Sequence, residues 1–171
     1  MIDNAFAHAS SAASALERPR AFAAIFYGGL AVGILDGSYA VISAYLRNGV
    51  TPNRVFNYIA SGLLGRPALS GGIATTVLGV LLHFLIAFGV ATVYYYASLN
   101  LPMLIQRPLL WGPLYGVAVY FVMQFIVVYL SAAPPLRGGH TLSSVLNGIL
   151  VHALLVGSPA AFIARWSAIV K

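Results

Sequence analysis

The chain has no cysteine, a single lysine and only three acidic residues, Asp3, Glu17 and Asp36. Without cysteine there are no disulfides, no thiolate metal sites and no cysteine nucleophile, and nothing in the sequence reports the redox compartment. Charged residues make up 7% of the 171 positions, whereas soluble domains carry roughly a quarter. That is too little charge to cover a globular surface in water. The signatures of common chemistry are missing as well. There is no Gly-x-Ser-x-Gly, no His-Glu-x-x-His, no pair of neighbouring aspartates and no Gly-Lys-Ser/Thr phosphate loop, and the lysine is the last residue. An enzyme is not expected. The nine Lys and Arg residues stand singly at the ends of apolar segments. Topology and anionic lipid headgroups ask for that arrangement, and nucleic acid is not an expected partner.

What the sequence has is long apolar runs. The clearest reads from Gly71 to Ser98, uncharged throughout, with His83 near its middle and Tyr94, Tyr95 and Tyr96 at its far end. A bilayer core of about 30 Å needs roughly 20 apolar helical residues, and the tyrosines suit an interfacial belt. Four such runs are present, at about Ala21 to Leu46, Gly71 to Ser98, Leu109 to Ser131 and Leu142 to Arg165. The fold class is therefore all-α: an integral membrane four-helix bundle with the lipid bilayer as its first partner. Residues 1–20 and 166–171 read as tails.

Within span one, Gly29, Gly33 and Gly37 recur every four residues and place three small residues on one helix face, a packing stripe in membranes. Between spans one and two, Thr51-Pro52 supplies a capping hydroxyl and a first-turn proline. Val55, Phe56, Ile59 and Leu63 then fall on one side, with Asn53, Arg54, Asn57 and Ser61 on the other, until Gly65-Arg66-Pro67 stops the helix. This predicts a short amphipathic helix at about 52–64, lying in the headgroup region. Span two carries Gly72, Thr76, Gly79, His83 and Ala87 on one face, so His83 is expected to point into the bundle. Span three opens with Trp111-Gly112-Pro113, and Pro159 is expected to kink span four.

Spans two and four can be laid over each other: GVLLHFL (79–85) matches GILVHAL (148–154), with Gly, Leu, His and Leu in register. Tyr27-Gly28 against Trp111-Gly112 extends the match to spans one and three. Two tandem helical hairpins related by an axis along the membrane normal would give this pattern. His83 and His152 would then be mates at one depth.

Asp36, His83 and His152 fall near mid-bilayer, with Gln124 somewhat off it. A charged aspartate there costs about 3 kcal/mol on insertion scales, so it needs a partner or a proton. The sequence predicts a buried Asp36–His83–His152 cluster. Two readings of it stay open. It pins the helices in register in a structural or accessory protein, or it passes protons or a solute, imidazole being donor and acceptor near neutral pH. A metal or haem site is the weaker idea, because neither histidine belongs to a paired ligand motif, and no cofactor is expected. An oligomer or a membrane-protein partner suits four short spans that enclose little space. Counting basic residues gives Arg18, Arg20, Arg107, Arg165 and Lys171 on one side against Arg47, Arg54, Arg66 and Arg137 on the other. The balance puts both termini in the cytoplasm.

The runs RVFNYIASGLLG, GG followed by LHFLIAF, GPLYGVAVYFVM and LVHALLVGSPAAFIAR resemble a group of small bacterial inner-membrane proteins without assigned activity. More distantly they are similar to the YagU-like family. The resemblance covers roughly Ala21 to Arg165 and implies a four-span protein of the bacterial cytoplasmic membrane. It also implies a link to acid tolerance, which has been proposed for the YagU-like group. The longer polar loop of that family is missing here, and no site residue carries across.

Overall fold

The computed structural model describes residues 18–135 and 141–169. Asp3, Glu17, Arg137 and Lys171 lie outside the described residues. The described chain is helical. Four helices are long and apolar enough to cross a membrane: α1 (Ala21–Asn48), α3 (Ile73–Asn100), α5 (Pro108–Leu130) and α6 (Leu142–Ser167). Between the first two lies α2 (Pro52–Leu64), too short to span, followed by a 3-10 turn at Arg66–Ser70. A single turn, α4 (Met103–Gln106), separates α3 from α5.

The helix ends follow local chemistry. Gly49 closes α1 in the left-handed conformation (φ 63°), its N–H returning to the Tyr45 carbonyl. The hydroxyl of Thr141 caps α6 by accepting from the Ser144 N–H at 3.2 Å. Thr51 does not cap α2 in this way; its hydroxyl donates to the Asn53 side chain instead. In α6 the backbone widens into a π turn over His152–Gly157, just ahead of Pro159. Proline lacks an N–H and its ring crowds the preceding turn. The Ser158 hydroxyl meets the Ala153 carbonyl at 2.8 Å within the widened turn. A π turn thus stands directly ahead of Pro159, where the sequence predicts a kink. A second π turn interrupts α5 at Met123–Val127.

The interior is built of small side chains. Ala24, Ala87, Ala160, Ala161 and Ala164 are buried beside Val32, Val156 and Tyr94, while Leu46, Ile73, Leu109 and Leu130 are each more than 75% exposed. Large apolar groups outside and alanines inside is the pattern of a lipid-solvated bundle, where contact relies on van der Waals fit and not on hydrophobic expulsion. The stripe on α1 works as expected: Gly29 lies under the Phe88 ring, Gly33 under Phe84 and Gly37 under His83. On the other side of the bundle α5 and α6 meet backbone to backbone, with Gly112 and Gly116 against Ser158, Gly157 and His152.

α2 lies where the sequence expects a short non-spanning helix, and it packs against α3. Its backbone at Phe56 closes on α3 at Gly79, where a side chain has no room. The face turned inward carries Asn57, Ala60 and Ser61, each 2% exposed or less, and Leu63 and Leu64 face out. Burial of these polar groups costs little because each is satisfied. The Asn57 amide donates to the Gly71 carbonyl and accepts from the Thr76 hydroxyl, both at 2.8 Å, and Ser61 donates to the Tyr58 carbonyl. Ile59, from the apolar side, lines the space beneath the helix, while Asn53 and Arg54, from the polar side, are exposed.

Substituting Gly116→Ala places a methyl group against the His152 backbone and is expected to lower unfolding stability in detergent by about 1–3 kcal/mol. Gly89→Ala, which meets open space, is the control and should leave the unfolding curve in place.

Candidate functional site

Three of the four seams between neighbouring spans are closed. α1 packs along α3 and along α6, and α5 packs along α6. The fourth, between α3 and α5, is joined at one end. There the rings of Tyr94 and Tyr115 meet edge to face at 4.9 Å, and the Tyr115 hydroxyl donates to the Val90 carbonyl at 2.8 Å. Tyr94 donates in turn to the Leu104 carbonyl at 2.9 Å, tying α4 to the same corner. Beyond this pair the two helices diverge.

Two adjoining cavities fill the divergence. The inner one, about 180 Å³, is walled by Val32, Val119 and Val156, with Asp36, His83 and His152 among its lining. The outer one, about 290 Å³, is walled by Leu63, Leu82, Val127 and Val128. Ile59, Ile86 and Met123 belong to both walls. Ile59 comes from α2 and Met123 from the π turn of α5, so the two irregular features of the fold meet here. The far end is closed by α2. Ala132 N–H donates to the Gly62 carbonyl at 2.9 Å, and the Tyr58 hydroxyl donates to the Pro134 carbonyl at 3.2 Å. Burial raises the Tyr58 pKa above the ordinary phenol value.

The expected Asp36–His83–His152 cluster is not formed. Among the described residues no group of three His, Cys, Asp or Glu side chains lies close enough to hold a metal ion. Each imidazole is occupied elsewhere. His83 Nε2 lies 2.9 Å from the Gly33 carbonyl across the α1 interface, and His152 Nδ1 lies 2.9 Å from the Gly148 carbonyl in its own helix. A neutral imidazole has one N–H to donate, and in both rings a glycine carbonyl takes it. All three residues touch the inner cavity as separate points on its wall. Gln124, half-buried in the π turn of α5, is not part of that wall. This removes the ground for a structural protein pinned by the trio and for a carrier that conducts through it.

A different polar set joins α1 to α6. The Tyr39 hydroxyl donates to Asn147 Oδ1 at 2.7 Å, and Arg47 Nη2 lies 3.1 Å from both Asn147 Oδ1 and the Tyr39 oxygen. Sequence reading missed it. Asp36, Ala40, Ser43 and Arg47 follow one another at three- and four-residue spacing on α1, which hints at a polar edge, but nothing in the sequence selects Asn147 as the acceptor.

No protein-family model, no curated protein and no solved structure matches the chain. Of the resemblance to YagU-like proteins, the four-span architecture is what stands.

Asn147→Ala takes the shared acceptor from two donors and is expected to cost about 1–3 kcal/mol. Asp36→Asn removes no hydrogen bond among the described residues and should shift the melting midpoint by much less. Parallel thermal unfolding of the two variants in one detergent checks the difference.

Proposed function

We propose that this is a non-enzymatic binding protein of the bacterial cytoplasmic membrane, which receives an apolar lipid chain in the open seam between α3 and α5. The observation that carries this reading is that two largely apolar cavities lie side by side in this seam and share Ile59, Ile86 and Met123 in their walls. Apolar cavities in proteins stay dry and take up apolar molecules. In a bilayer the molecule at hand is an acyl or isoprenoid chain. Ligand pockets are mostly apolar, and Val32, Val119, Val156, Leu63, Leu82, Val127 and Val128 supply that lining here. Both ends of the described chain are placed in the cytoplasm in this reading. Arg18, Arg20, Arg107 and Arg165 gather on that side, because Arg20 N–H bonds the Ser167 carbonyl and Arg165 bonds α4.

The test is photolabelling in liposomes that contain a lipid with a photoactivatable acyl chain. Labelling in excess of the lipid-exposed helix faces is expected at Ile59, Ile86 and Met123. Filling the space with Met123→Trp, or with Ile59→Phe should the first fold poorly, should reduce the excess at least about tenfold, the lower end of the about 1–3 kcal/mol that a single methylene is worth in an apolar pocket. Labelling that is uniform over the outer faces and indifferent to both substitutions rejects the reading.

A further inference from the structure

The end of the bundle opposite α2 holds a second feature, independent of the seam. There α4 turns into α5 against the last turns of α6. Arg165 reaches from α6 and donates to the carbonyls of Ile105 and Gln106 at 2.9 and 2.8 Å. Its guanidinium is thereby fixed at the C-terminal end of α4. Arg107, the next residue along, is exposed. Between the two arginines opens a cleft of about 470 Å³, whose walls include Pro108, Leu109, Leu110 and Phe162.

Among the described residues the charge in this cleft is of one sign: none of the lining residues is acidic, and Asp36, the one acid described, belongs to the inner cavity of the seam. Two guanidiniums and the N-terminal, positive end of the 23-residue α5 share the site. The lower walls are apolar and open: Leu109 is 79% exposed and Phe162 44%. A ligand that fits carries an anionic group at one end and apolar chains at the other. A free phosphate would satisfy the arginines and leave Leu109 and Phe162 bare. The position, at the ends of spanning helices, is where headgroups lie.

We propose that this cleft binds an anionic phospholipid, with the headgroup phosphate between Arg107 and Arg165 and the acyl chains along Leu109 and Phe162. Arginine matches phosphate through parallel N–H donors, and basic pockets between helices on the cytoplasmic side hold anionic headgroups in this way.

The chain contains two tryptophans, Trp111, one helical turn from Arg107, and Trp166, next to Arg165. Neither ring lines the cleft, and Trp166 packs edge to face on Tyr27, so their emission reports lipid around this end of the bundle, and the difference between the two brominated lipids reports the cleft. The protein is reconstituted in phosphatidylcholine vesicles containing a minor fraction of lipid with brominated chains, either phosphatidylglycerol or phosphatidylcholine. Brominated phosphatidylglycerol is expected to quench more strongly, mole for mole, and added salt to weaken that preference. Arg107→Gln should reduce the preference about fivefold, the factor associated with one basic residue at an anionic surface. Arg18→Gln, with the same change in net charge at the same end, should leave it. Equal quenching by both lipids in the parent protein overturns the proposal. So does an equal loss in the two variants, which would mean diffuse surface charge. Abolition of the preference by inorganic phosphate at matched ionic strength would make this a site for a soluble anion and overturn it too. Arg107 is exposed, so its variant is expected to fold; an unchanged unfolding curve confirms that the lost quenching is lost binding.

Discussion

Close approach of helix backbones at glycine holds this molecule together. In lipid there is no water to expel from between helices, and the attraction left is dispersion between atoms brought within a few ångströms. The α1 stripe accepts the rings of Phe88, Phe84 and His83, Gly116 and Gly157 bring α5 onto α6, and Gly79 admits the backbone of α2. Where such contacts run along two spans, the seam is shut. Along α3 and α5 they do not, and these helices are joined at the tyrosine corner. The cavity is thus a consequence of where small residues were not placed.

Most of the architecture is legible in the sequence because run length answers to bilayer thickness. Four apolar runs became four spanning helices, and the stretch after span one became a helix too short to cross. Which faces meet is harder to read. Depth can be counted along a helix, but azimuth depends on partners, and Asp36, His83 and His152 share a depth without sharing a bond. The rings found glycine carbonyls nearer than the carboxylate, since a glycine leaves its carbonyl unshielded.

The match between spans two and four survives in sequence and diverges in structure. In both, a glycine precedes the histidine by four residues. In span four that glycine's carbonyl holds His152. In span two the corresponding surface at Gly79 is covered by Phe56, and His83 turns across to Gly33. A short helix inserted after span one is enough to send the same local motif to a different partner. The two seams that the sequence match would pair also differ: α1 with α6 is closed, and α3 with α5 is open with α2 at its mouth.

The inward polar face of α2 bears on how the chain is made. Asn57 draws its partners from Gly71 and Thr76, which leave the ribosome after it. Until the second apolar run has entered the membrane, this segment has no dry surface on which to settle and must wait at the aqueous boundary. Its docking is therefore a late event in biogenesis, coupled to insertion of the following run, and the pocket it helps to wall is completed only then.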